Sequence, residues 1–215
     1  MDVEALNKKY TPLSPEQRIA ELYTDFSNIL LTSSFGTTSV YLLHLFSSVH
    51  PEQAVHFLDT SYHFPETLAY KEKLTKAFGL NVVHLKGDEW RNKFTLQDRT
   101  WKKDSDLCCS INKVEPLEKI KAGFEIWVSG LMRGQNENRK NLQVFEERGG
   151  ILKFYPIVDQ TEEQVKAYMK LHKLPVHPLS KAGYSSVGCT HCTSEGKARE
   201  GRWINKSKTE CGLHT

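Results

Sequence analysis

The 215-residue chain is most informative in what it has little of. No apolar run approaches the roughly 18 residues of a membrane span, so a membrane partner is not expected. The first ten residues are polar and of mixed charge, with no apolar segment of the kind a secretory signal needs. The net charge is only +3, from 29 Lys+Arg against 26 Asp+Glu, too small an excess to argue for a nucleic-acid partner. No fixed period repeats, which excludes solenoids and propellers. Two familiar phosphate signatures are missing: there is no Gly-Lys-Ser/Thr and no Gly-x-Gly-x-x-Gly. Cysteine is absent from the first half. The five in the second half are Cys108, Cys109, Cys189, Cys192 and Cys211. An odd, uneven set is a poor disulfide framework. A reducing, cytoplasmic compartment is the expectation, with thiols acting as ligands or nucleophiles rather than staples.

What is present is enough apolar residue, 39%, to build a core. Ser14-Pro15-Glu16-Gln17 reads as a helix start with a capping box, followed by Ile19, Leu22, Tyr23 and Phe26 at helical spacing. Ile29–Leu31 reads as a buried strand and 40–49 as a helix. The alternation continues with strands at 54–58, 81–85 and 125–129. Helices are expected at 65–78, closed by Gly79, at 115–121 and at 161–172. This pattern predicts an α/β fold with a mostly parallel sheet flanked by helices. From Ser180 onward the periodicity is lost. Residues 1–179 are therefore expected to form the α/β domain, and 180–215 a partly mobile C-terminal segment.

In such sheets ligands sit beyond the carboxyl ends of the strands. Ser34, Phe35, Gly36 and Thr37 lie at such an end just before a helix, where backbone N–H groups and hydroxyls can cradle an anion; an ordinary strand–helix turn is the plain alternative. Asp59 and Thr60 end the next strand and are expected at the same crevice. Cys189-x-x-Cys192 has the spacing of a two-thiolate chelate, and Cys108-Cys109 supplies a vicinal pair. Together they suit zinc or an iron–sulfur cluster. The single Cys-x-x-Cys leans toward the cluster, while a redox pair and merely buried thiols stay open. Lys113, Arg133 and Arg139 are placed to reach an anionic ligand. Cys211 stands near Lys197, Arg199, Arg202, Lys206 and Lys208, a field that favours the nucleophilic thiolate.

Several segments together resemble one family. They are Cys108-Cys109 with Lys113-Val114-Glu115-Pro116-Leu117, Cys189-x-x-Cys192, Arg199-Glu200-Gly201-Arg202-Trp203 and Glu210-Cys211-Gly212-Leu213-His214. With Ser34-Phe35-Gly36, Leu58-Asp59-Thr60 and Phe64-Pro65-Glu66-Thr67, they are similar to the assimilatory adenylyl-sulfate (APS) and phosphoadenylyl-sulfate (PAPS) reductases. The likeness runs from about Ser33 to the end. It implies an adenine nucleotide α-hydrolase-like fold and a [4Fe–4S] cluster on Cys108, Cys109, Cys189 and Cys192. It implies that Cys211 attacks the sulfate sulfur, giving S-sulfocysteine and AMP, and that thioredoxin or glutaredoxin then releases sulfite. By the same resemblance Ser34, Phe35, Gly36, Thr37, Asp59, Thr60, Lys113, Arg133, Arg139, Arg199, Arg202 and His214 would meet substrate. The four cluster cysteines point to APS, with PAPS as the alternative substrate, and a homo-oligomer is expected.

The chain departs from the family pattern in its arginine loop. That loop reads Met132-Arg133-Gly134-Gln135-Asn136, without the usual leading arginine pair and acid, and Asn112 stands where an arginine usually precedes the lysine. Two rivals predict different things. An ATP pyrophosphatase or adenylyltransferase would carry the aspartate of Ser-Gly-Gly-x-Asp-Ser, absent from Ser34–Ser39. A zinc-stabilised nucleotide-binding module would give Cys211 no role.

Overall fold

The computed structural model describes residues 2–204, Lys208 and 210–213. In chain order the helices and strands are α1 (Val3–Tyr10), α2 (Pro15–Asp25), β1 (Ile29–Ser33), α3 (Ser39–Val49), β2 (Ala54–Leu58), α4 (Pro65–Phe78) and β3 (Asn81–Leu85). Then come α5 (Glu89–Gln97), α6 (Thr100–Lys103), α7 (Ser105–Cys109), a π-helical turn at Ser110–Val114, and α8 (Glu115–Lys121). The chain continues through β4 (Ile126–Val128), β5 (Phe145–Arg148), β6 (Ile151–Phe154) and α9 (Glu162–Leu171).

Local chemistry sets several of these boundaries. Ser14 and Gln17 close a capping box at α2, and Thr161 and Gln164 another at α9. Gly79 takes the left-handed conformation, φ 63°, that ends α4. The elements read from the sequence are present, with the strand expected over 125–129 shortened to Ile126–Val128, and α1, α5, α6, α7, β5 and β6 are additions that the sequence pattern does not predict.

The described strands form one six-stranded sheet in the order β3-β2-β1-β4-β6-β5. All pairings are parallel except the β5–β6 hairpin at one edge. Alternation along the strands feeds two cores. Ile29, Leu31, Val55, Phe57, Ile126, Val128 and Phe154 join the larger core with side chains of α1, α2, α3, α4 and α9. Leu30, Leu58, Trp127 and Ile151 turn to the opposite face, where Leu117 of α8 packs. Arg18 of α2 is 1% exposed and spans the larger core's rim, bonding Tyr10 O, Thr11 O, Pro156 O and both carboxylate oxygens of Asp159. At the β5 edge, the Asn7 side chain of α1 accepts from Phe145 N at 2.9 Å and donates to Phe145 O at 3.0 Å.

Strand order reverses beside β1, whose neighbours β2 and β4 lead chain connections off in opposite directions. That switch point, at the carboxyl ends of β1 and β4, is where a doubly wound sheet opens a crevice. Among the described residues after 180 there is no long helix or strand, yet this segment is docked here. Val187, Cys189 and Trp203 are buried, and Thr37 Oγ1 donates to Ser185 O at 2.8 Å. Its missing periodicity reflects irregular packing over the switch point.

Candidate active site

The crevice at the switch point is lined on one side by Ser34, Gly36, Thr37 and Ser39 and on another by Ser129, Gly130 and Leu131. α3 begins there with no side-chain cap, and its Ser39 N–H donates to Gly36 O at 3.1 Å. The left-handed residue of the loop is Phe35, φ 49°, rather than Gly36. Phe35 is fully buried edge-on to Phe57, so its ring anchors the loop from below. A Cβ on Gly36 would sit 3.5 Å from Val187 O, ordinary contact with the segment that roofs the loop.

Two chain segments about 80 residues apart bring cysteines to the crevice's flank. The end of α7 carries Cys108 and Cys109, and the loop roofing the crevice carries Cys189 and Cys192. Cys108 and Cys189 pack with Tyr62 and Trp101, and Cys192 lies against them. Burial pushes the Cys108 thiol up to about 12, with Cys109, Cys189 and Cys192 adding like-charge repulsion. Burial also raises Cys109 and Cys192. Polar groups face this set: Thr60 Oγ1 lies 3.3 Å from Cys189 Sγ, and Asn112 Nδ2 donates to Cys108 Sγ at 3.7 Å. Burial works against the charge on Lys113, but Cys189, Cys211 and Cys109 outweigh it and hold its pKa above the ordinary lysine value. Among the described residues, no three His, Cys, Asp or Glu side chains are arranged around a single metal ion.

The C-terminal segment closes the crevice. Lys113, Arg139, Arg199, Arg202, Trp203, Glu210, Cys211 and Leu213 all line it. Trp203 is 3% exposed and left-handed, with its N–H on Cys192 O and the Arg202 guanidinium 4.5 Å above its ring. Gly188 lets Arg202 lie against the backbone: a Cβ there would fall 2.2 Å from Arg202 Nη2. Gly201 is held tighter still, since its Cβ would fall 2.0 Å from Ser194 O. Ser129 Oγ and Arg202 Nε are buried in this crevice with no hydrogen-bond partner among the described residues. Such groups call for a polar ligand. Leu213 packs into the smaller core, and Lys153 Nζ donates to its carbonyl at 3.4 Å.

Against this geometry, residues 28–195 match the phosphoadenosine phosphosulfate reductase domain. The chain belongs to that family. An adenosine 5'-phosphosulfate reductase of Bacillus mycoides is 39% identical over 207 residues, covering 89% of this chain and 86% of that protein. A phosphoadenosine 5'-phosphosulfate reductase of Gloeobacter violaceus is 36% identical over 224 residues, covering 99% and 93%. The crystal structure of a PAPS reductase from Candida auris, in a phosphate complex, superimposes with a TM-score of 0.78. It has 29% identity and covers 89% of this chain and 96% of that one. An FMN adenylyltransferase of Candida glabrata shares the fold alone, with TM-score 0.63 at 12% identity over 91% of this chain and 68% of that one. The adenine nucleotide α-hydrolase-like expectation therefore holds.

Within this reductase fold most of the anticipated residues converge. Ser34, Gly36, Thr37, Thr60, Lys113, Arg139, Arg199, Arg202 and Cys211 share one crevice. Three do not line it. Phe35 is core. Arg133 is exposed and turns away, donating from Nε to Leu142 O at 2.7 Å, because its backbone N–H is tied to Val158 O. Asp59 faces His84 and Lys86 across the β2–β3 edge and accepts from Ser61 N. His214 lies outside the described residues. Glu210, Asn112 and Trp203 are site residues that no single-residue rule singles out. Their signal was their place in the motifs around Cys211, Lys113 and Arg202.

Proposed function

We propose that the protein reduces adenylyl sulfate to sulfite and AMP, with Cys211 as the nucleophile. The observation that carries this reading is the position of Cys211, which lines the same crevice as the Ser34–Thr37 loop, Lys113, Arg199 and Arg202. A nucleophilic thiol, an anion-binding loop and convergent cations form the minimum set for attack on an anionic phosphosulfate. The reductase class follows from the family, and the substrate class from its named members.

In the first step the Cys211 thiolate attacks the sulfate sulfur. The bond between that sulfur and the bridging phosphate oxygen breaks, and AMP leaves with the electron pair. Lys113, Arg199 and Arg202 offset the charge of the approaching anions and of the leaving phosphate. Cys211 is left as an S-sulfonate. A thiolate of thioredoxin or glutaredoxin then attacks Cys211 Sγ, and sulfite departs with the sulfur–sulfur bonding pair. The second thiol of the reductant resolves the mixed disulfide, so two electrons pass from the reductant to sulfur overall. A free Cys211 and the other free thiols suit a reducing compartment such as the cytoplasm.

Cys108, Cys109, Cys189 and Cys192 fit a [4Fe–4S] cluster. The set is sulfur-only, sits against aromatic rings, and meets Thr60, Asn112 and Lys113 as polar groups and counter-charge. A cubane takes one thiolate at each of its four irons, which matches the number of cysteines in the set. When bound, the cluster supplies fixed charge beside the crevice.

The test is thioredoxin-dependent sulfite release by anaerobically purified protein, with APS and PAPS in parallel. Preference for APS is expected. Preference for PAPS would overturn the substrate assignment and keep the chemistry. Cys211→Ser is expected to abolish release from either substrate, and unchanged turnover would refute the nucleophile.

A further inference from the structure

Glu210 immediately precedes the nucleophile, and it is not a solvated tail residue. Its side chain is 8% exposed. Arg139 grips the carboxylate with two parallel bonds, Nε to Oε1 and Nη2 to Oε2, each 2.8 Å. Arg199 Nη2 adds 3.2 Å to Oε2, and Asn136 Nδ2 adds 2.7 Å to Oε1. The third nitrogen of Arg139 is bonded to Gln135, so its guanidinium is oriented from both sides. Asn136 and Arg139 belong to the short loop after β4, and Arg199 to the roof. One carboxylate therefore joins three parts of the crevice wall at the residue next to Cys211.

We infer that Glu210 is a positioning residue, and that the Arg139–Glu210 pair docks the tail so that Cys211 faces the sulfur. This rests on the reading of Cys211 as nucleophile. The physical case is one of orientation. A thiol near the end of an irregular segment must be held in one geometry to gain the advantage of proximity. A bidentate guanidinium–carboxylate pair fixes direction as well as distance. On the other side of Cys211, Leu213 is seated in the smaller core and its carbonyl is held by Lys153, so the nucleophile is clamped fore and aft. The inference reassigns Arg139: its bidentate face serves the tail, leaving Lys113 and Arg202, with Arg199 shared between Glu210 and the crevice, to meet the anions of the substrate.

Glu210→Gln and Glu210→Asp are measured in anaerobic protein carrying its native iron content. Two readouts are taken: kcat and KM for sulfite release, and the rate of iodoacetamide alkylation of Cys211 without substrate, mapped by peptide mass. For Glu210→Gln, kcat is expected to fall about tenfold to a hundredfold, the scale of a lost charge-assisted bond pair. KM is expected to change less than about threefold, and Cys211 alkylation to accelerate as the tail undocks. Glu210→Asp keeps the charge and is expected to recover most of kcat. A lower KM with kcat maintained would overturn the inference, making the carboxylate a competitor for the substrate's arginines. Unchanged kcat and alkylation would also overturn it. The alkylation readout does not depend on catalysis, so failure of the nucleophile reading, seen as full turnover by Cys211→Ser, is distinguishable from failure of the clamp.

Discussion

Replacing Asp159 by Asn leaves a deeply buried cation, Arg18, without its counter-charge. Arg18 is 1% exposed and makes five hydrogen bonds, two of them to Asp159 at 2.8 and 2.6 Å. The amide keeps one acceptor but turns an N–H toward the guanidinium. Breaking a buried pair on one side costs about 3–5 kcal/mol. Three carbonyls still hold Arg18, and the Asp159 side chain is 32% exposed, which favours the lower end. A loss of about 3 kcal/mol lowers the melting temperature of a chain this size by roughly 6–12 °C. The assay is thermal unfolding by circular dichroism, wild type against variant, from pH 5.5 to 8. Burial opposes the charge on Asp159, but Arg18 holds its pKa below the ordinary carboxylate value. The stability it supplies is therefore complete above the unfolded aspartate pKa and lost only as pH falls through the lower folded value. The gap between the two proteins should be constant across this range. A difference under about 2 °C, or one that shrinks between pH 8 and 5.5, would refute the reasoning. The effect reaches the site, because Val158, beside Asp159, holds the backbone of Arg133 at the start of the arginine loop.

Three further outcomes are expected. Gly201→Ala drives a methyl to 2.0 Å from Ser194 O, which is backbone, so the turn carrying Arg199, Arg202 and Trp203 must shift. Sulfite release should drop by at least about tenfold, through misplacement rather than lost chemistry, with little change in melting temperature. His177 is fully buried, accepts from Leu179 N at Nδ1 and meets Thr67 Oγ1 at Nε2, and burial depresses its pKa to about 4. Its neutral form therefore contributes stability that is complete above about pH 6.5 and is lost, by up to about 3 kcal/mol, as pH falls toward 4. Urea unfolding of His177→Gln should show a flatter profile across that window, and an unchanged slope would count against it. Cys192→Ser should lower bound iron and sulfide together, measured colorimetrically on anaerobic protein, and full retention would remove Cys192 from the ligand set.

Legibility in the sequence followed the range of the interactions involved. α2, α4 and α9 were readable because local residues fix their ends: Ser14 with Gln17 at the start of α2, Thr161 with Gln164 at the start of α9, and Pro65 and Gly79 at the two ends of α4. α1 was not read, since its eight residues give one buried side chain, Tyr10, and its partner Phe145 lies far along the chain. The hairpin of β5 and β6 escaped for the same reason, and so did α5 to α7, whose apolar residues are exposed at Trp90, Phe94, Leu96 and Leu107 instead of forming a stripe. Cysteine spacing pointed to a shared sulfur site across 80 residues because few other arrangements use such a set. Arginines carry no such constraint. Arg133 and Arg139 looked equivalent in sequence, and only the three-dimensional path of the loop separates one facing the crevice from one bonded to Leu142 O.

The Asn7 amide has a meaning beyond packing. A sheet edge is an open row of donors and acceptors, able to recruit a strand from any neighbouring chain. By offering both an acceptor and a donor to Phe145, Asn7 imitates the peptide unit of a seventh strand. It does so from a helix, which cannot extend the ladder. The β5 side is thereby terminated. The opposite rim, β3, has no comparable plug among the described residues. It exposes Asn81, Val83 and His84, with Lys86 just beyond the strand. One rim is thus closed by occupation, while the other sets a single exposed valine among polar neighbours.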